Sequence, residues 1–172
     1  MNTTNHSQHL ENKLKQQLEI CRIHADRIGI ALKHIEPLLP LSTEKTENFS
    51  DEQLGFLELL TSRIGKLQDA MGMHIFPITL ELLGEKNEQQ SMLDRLNRLE
   101  KLGFIEQASF WQYLRNLRNE LTHEYENDLE KQTSKINHAI KAAKELLDVW
   151  GVFIKKAQET TTISGFFNNA KK

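Results

Sequence analysis

A chain of 172 residues with 38% hydrophobic side chains, eight Gly and three Pro has the length of one ordinary domain and enough apolar surface to bury a core. Its charged residues, 27% of the total, nearly cancel to a net charge of -2, which excludes a global basic field able to hold nucleic acid by counterion release alone. The single cysteine, Cys21, excludes an intramolecular disulfide and a Cys-based zinc site, and among Leu18, Ile20 and Ile23 it reads as a small buried thiol.

Residues 1–9 are polar and lack the basic segment and apolar run of a secretory signal, and no 18 consecutive apolar residues occur anywhere. The expectation is a cytoplasmic protein with a flexible start over 1–9 and no membrane segment. From Leu10, the residues Leu14, Leu18, Cys21, Ala25, Ile28 and Leu32 recur every three or four positions, which predicts a helix with one buried stripe to about Ile35. Pro37 and Pro40 stop it, and Leu41 to Phe49 reads as a loop.

Ser50, followed by Asp51, Glu52 and Gln53, has the form of a capping box and starts a second helix, with Leu54, Leu57, Leu60, Ile64 and Leu67 on its inner face. Arg63, Lys66 and Asp69 lie largely to one side, and Gly72 is placed to end or bend it. Pro77 suits the first turn of a short helix carrying Leu80, Leu82 and Leu83 up to Gly84, and Ser91 caps another with Leu93, Leu96 and Leu99, ending at Gly103.

Ser109 introduces Phe110, Leu114, Leu117 and Leu121, the buried stripe of the next helix. A last helix is predicted from about Asp128 to Lys156, with Ile136, Ala139, Ile140, Ala143, Leu146, Leu147 and Val149 facing inward. Beyond it the tail, 158–172, has no period and reads as loose, although Phe166 and Phe167 could dock it. With no alternating strand pattern and no fixed repeat, the fold expected is one all-α domain, an antiparallel bundle of about four or five helices.

The chemistry concentrates at Arg118-Asn119-Glu120-Leu121-Thr122-His123-Glu124-Tyr125. On an ideal helix Arg118 and His123 differ by about 140°, while Asn119 and His123 lie within about 40°. One helix therefore does not bring the guanidinium and the imidazole together unless it unwinds at His123, whereas a second copy of the helix could. The residue types suit RNA scission. An imidazole takes the proton of a ribose 2′-hydroxyl or delivers one to the leaving oxygen, and a guanidinium holds the phosphate and the charge of the transition state. Asn119 could orient the imidazole or a phosphate oxygen, Tyr125 could place a hydroxyl at the rim, and Arg115 adds positive charge for RNA binding. The same residues also suit a solvated surface network, or an ion pair of the cluster with Glu120 or Glu124.

The pattern Arg-x4-His-x-Tyr over Arg118, His123 and Tyr125, with a polar residue after the arginine, resembles the HEPN superfamily, and within it the HepT-like toxins. The resemblance is specific only over 118–125 and loose over about 10–156. It implies a metal-independent endoribonuclease that works as a homodimer, the Arg118 and His123 of both subunits lining a shared cleft. It also implies an antitoxin partner, a small nucleotidyltransferase of the MntA kind, which attaches AMP to Tyr125. A bulky anion there would compete with RNA phosphate for Arg118. The segments 37–49, 71–90 and 158–172 depart from a minimal domain of that type, and Asp69 is a candidate acid reaching toward the site or neutralised by Arg63 or Lys66.

No cofactor is expected. His24 and His34 stand ten apart, His74 and His138 stand alone, His6 and His9 lie in the polar start, and Gly65, Gly72 and Gly84 are isolated. The reading is thus a ribonuclease toxin with Arg118, His123 and Asn119 as catalytic residues. The alternative from another class is a non-catalytic helical module that scaffolds, or presents substrate to, a nucleotidyltransferase.

Overall fold

A computed structural model describes residues 2–85, 90–122, 128–160 and 163. Its described residues form helices and turns, with no strand among them. The first helix, α1 (Asn2–Ile35), begins eight residues before Leu10, so the start expected to be flexible is instead helical from Asn2, and His6 Nε2 lies 2.9 Å from Glu81 Oε1. A 3-10 turn (Glu36–Leu38) follows, and then the segment expected to be a loop contains a short helix, α2 (Thr43–Glu47). Tertiary contacts hold that turn: Thr133 Oγ1 donates to Thr46 Oγ1 at 3.0 Å, and Asn137 Nδ2 donates to the Leu41 carbonyl at 3.2 Å.

Ser50 caps α3 (Asp51–Ala70) as the sequence predicts: its hydroxyl accepts from the Gln53 N–H at 3.2 Å, and the Gln53 side chain accepts from the Ser50 N–H at 2.9 Å. The regular α-helix ends at Ala70, two residues before Gly72. The chain widens into a π-helical turn (Met71–Ile75) and continues as α4 (Phe76–Leu82), with Pro77 in its first turn. Gly84 and Gly103, at φ of 73° and 76°, close α4 and α5 (Met92–Lys101) in the left-handed conformation that glycine adopts without steric cost. The N–H groups of Glu85 and Phe104 then reach back to the carbonyls of Leu80 and Leu99, at 2.8 and 2.9 Å.

The motif helix, α6 (Ala108–Thr122), starts one residue before the expected Ser109 cap; its first N–H is met by Glu100 Oε2 of α5, at 2.7 Å from Ala108 N. Asp128 caps α7 (Leu129–Glu159), accepting from the N–H groups of Glu130 and Lys131 at 3.1 and 3.2 Å. Ile163, beyond α7, is fully buried, which ties down at least that point of the tail; Phe166 and Phe167 lie outside the described residues.

Side-chain partners give the direction of packing. His34 stacks on Phe56, His24 meets Arg63 and His6 meets Glu81, so α1 and the α3–α4 rod run antiparallel. Trp111 lies against Gly72 and Arg118 against Gly65, so α6 runs antiparallel to α3. With α7 packed on α1, α3 and α6, the four long helices form the expected antiparallel bundle, and α4 and α5 close one end of it. There Phe76 sits 4.8 Å from Trp111 and 5.8 Å from Phe153, which in turn lies 5.4 Å from Phe104.

Cys21 is fully buried, and burial pushes its thiol up to about 12. It is an inert core residue.

Candidate functional site

The position of Arg118 follows from how α6 is seated. Trp111 is 3% exposed, more deeply buried than the half-buried Phe110, so the inner face of α6 is centred on Ala108, Trp111, Leu114 and Leu117. Arg118 comes seven residues after Trp111, two turns on and about 20° round, so it continues the Trp111 side of the helix toward α3. On the facing rod two glycines also stand seven apart, Gly65 in α3 and Gly72 in the π-helical turn that continues it. A Cβ at Gly72 would lie 3.4 Å from Trp111 Cζ2, and one at Gly65 would lie 3.7 Å from Arg118 Cγ and Nε. Two missing side chains on one rod thus admit two large ones from its antiparallel neighbour.

Laid across Gly65, the Arg118 guanidinium reaches Asp69, donating from Nη2 to Oδ2 at 2.8 Å. The two side chains are 36% and 37% exposed, so the pair is half open to solvent and contributes on the order of 0–1 kcal/mol to the fold. Its effect is positional. One of the five donors of the guanidinium is fixed by the carboxylate, and the stem is confined between helices.

Arg63 does not neutralise Asp69. Its Nη1 donates to His24 Nδ1 on α1 at 3.1 Å, and its Nε is buried with no hydrogen-bond partner among the described residues. His24 is held below the usual imidazole range by burial and by the adjacent charges of Arg63 and Lys66. Lys66 itself is exposed.

Asn119, next to Arg118, and Arg115, one turn before it, are both exposed on α6. His123 and Tyr125 lie outside the described residues, as does Glu124. The structure therefore brings together Arg118 and Asp69, with Gly65 beneath them, and describes Asn119 and Arg115 on the same helix. Sequence reasoning had Asp69 as a candidate but missed Gly65, whose only signal is its seven-residue distance from Gly72, matched by the seven between Trp111 and Arg118.

The chain matches no family model, no curated protein and no solved structure.

His34 stacks 3.8 Å from the Phe56 ring. A depression of about 240 Å³ between the start of α6 and α7 is lined by Glu106, Glu145 and Asp148 with Phe110, Val149 and Val152. Its acidic rim disfavours an anionic ligand in that depression. No described helix is long and apolar enough to cross a membrane.

Proposed function

We propose that the protein is a metal-independent endoribonuclease of the HepT-like kind, acting in the cytoplasm as a homodimer whose cleft carries Arg118 and His123 of both subunits. The observation that carries this reading is the seating of Arg118: a half-exposed guanidinium laid over a glycine and held by Asp69 at 2.8 Å, five residues before His123. So weak an ion pair explains little stability, whereas a fixed and accessible guanidinium is what binding a phosphodiester requires.

In this reading Arg118 holds the scissile phosphate and offsets the charge of the transition state. His123 takes the 2′-hydroxyl proton or protonates the leaving 5′-oxygen, and Asn119 orients one of them. Arg115 binds RNA beside the site. Asp69 is a positioning residue, acting through Arg118. Tyr125 is the site at which an MntA-like nucleotidyltransferase antitoxin attaches AMP, placing an anion that competes for Arg118.

The test is cleavage of RNA by the purified protein in the presence of a chelator. Arg118→Ala and His123→Ala are each expected to abolish cleavage with the helical circular-dichroism spectrum and melting transition retained. Activity at the wild-type level in both variants overturns the reading.

A further inference from the structure

Three positions on α3 share a spacing of three residues: Arg63, Lys66 and Asp69. Three residues fall about 60° short of a full helical turn, so this row sweeps about 120° round α3 over roughly 9 Å of its length. The observed contacts follow that sweep. Arg63 turns to α1 and donates to His24, Asp69 turns to α6 and accepts from Arg118, and Lys66 stands between them, exposed.

The charge along the row is one-sided. No acidic residue occurs between Glu58 and Asp69, and Asp69 is already engaged by Arg118. Arg63 is hydrogen-bonded to an imidazole, not to a carboxylate, so its charge is left uncompensated by that contact. His24 reports the resulting field: besides burial, the neighbouring Arg63 and Lys66 disfavour its protonation. In a chain of net charge -2, this is a local concentration of cations leading to a candidate phosphate-binding arginine.

We infer that Arg63 and Lys66 form a track for the RNA backbone, which carries a single strand across the outer face of α3 to the phosphate held by Arg118. The inference rests on the ribonuclease reading of Arg118 and extends the substrate contacts from α6 onto α3. Lys66 and Arg63 are placed to meet phosphates, which position a strand without reading its bases, so the track is indifferent to sequence.

The experiment measures binding of a short fluorescent oligouridylate with 2′-methoxy sugars, which cannot be cleaved, at several salt concentrations, alongside steady-state cleavage of its 2′-hydroxyl counterpart. The variants are Lys66→Gln, Lys66→Arg and the double variant Arg63→Gln with Lys66→Gln. Because Arg63 is half-buried, the exposed Lys66 variants keep the test independent of folding. The expected result is roughly tenfold weaker binding for the double variant, with the slope of log affinity against log salt reduced by about 0.7 for each charge removed. Lys66→Gln raises KM at unchanged kcat, and Lys66→Arg restores it. Unchanged affinity and slope in a protein that cleaves RNA overturn the track and leave the nuclease standing. Charge-dependent binding by a protein that never cleaves supports the track and overturns the nuclease. A wild-type protein that neither binds nor cleaves overturns both.

Discussion

Arg118 is positioned by the absence of a side chain at Gly65, and the size of what could replace that glycine separates stability from function. A methyl group at Gly65 would meet Arg118 Cγ and Nε at 3.7 Å, an ordinary contact, while removing the conformational freedom of a mid-helix glycine. Gly65→Ala is therefore expected to raise stability by up to about 1 kcal/mol, roughly 2–4 °C in Tm, with RNA cleavage retained. Gly65→Leu instead fills the space crossed by the Arg118 stem and pulls the guanidinium from Asp69. It should keep the helical spectrum but lower kcat by roughly 100-fold, the scale of a misplacement near 1 Å. Full activity in Gly65→Leu would show that the seat of Arg118 is immaterial. His24 gives a second prediction at this scale. Its folded-state pKa lies below the ordinary 6.5, so below that pH the unfolded chain takes up a proton that the folded chain resists. Stability therefore falls as pH drops through the range below 6.5, and levels off once the folded imidazole is protonated as well. His24→Gln keeps an acceptor for Arg63 and removes the proton, so its Tm should depend less on pH across this range than that of the wild type.

At the scale of single helices, local chemistry decides some boundaries and tertiary contact decides others. The capping box at Ser50 and Gln53 is entirely local, and Ser50→Ala is expected to cost about 1 kcal/mol, read as a fall of roughly 2–4 °C in thermal melting. The same kind of signal identified the cap at Ser91 and the glycine stop at Gly103. It failed at Ser109, because the start of α6 is capped by Glu100, a carboxylate supplied when the chain folds back from α5. At α2 five residues are too few to show a period, although a local cap is present, the Ser42 hydroxyl accepting from the Lys45 N–H at 3.3 Å, and the contact of Thr46 with Thr133 on α7 adds to it. The four long helices were legible because each buries a stripe recurring every three or four residues. The ion pair of Asp69 with Arg118 was half legible, for the acid could be placed on the right side of α3 but not matched to its partner. That match depends on the antiparallel register of α3 and α6, which no spacing within one helix encodes.

At the scale of the whole molecule, the proposed chemistry demands a second copy. Arg118 and His123 are about 140° apart on an ideal helix, so the two groups meet across a two-fold axis more readily than within one chain. If the cleft joins an arginine of one subunit to a histidine of the other, mixing inactive Arg118→Ala and His123→Ala proteins should restore measurable cleavage. One of the two composite sites in such a heterodimer contains both native groups. Failure of the mixture to cleave, with mixed dimers verified by native mass spectrometry, would sink the shared cleft. The bundle that must support this geometry has its own phase reference in the π-helical turn Met71–Ile75. Because α3 passes through that wide turn without a break, every residue of α4 inherits its rotation from it. Shortening the turn by one position would swing α4 by about 100°. Phe76 would leave its place beside Trp111 and Phe153, and the closed end of the bundle would open. The orientation of α6 against α3, and with it the aim of Arg118, is thus anchored two helical turns away by the indole that this widened coil accommodates.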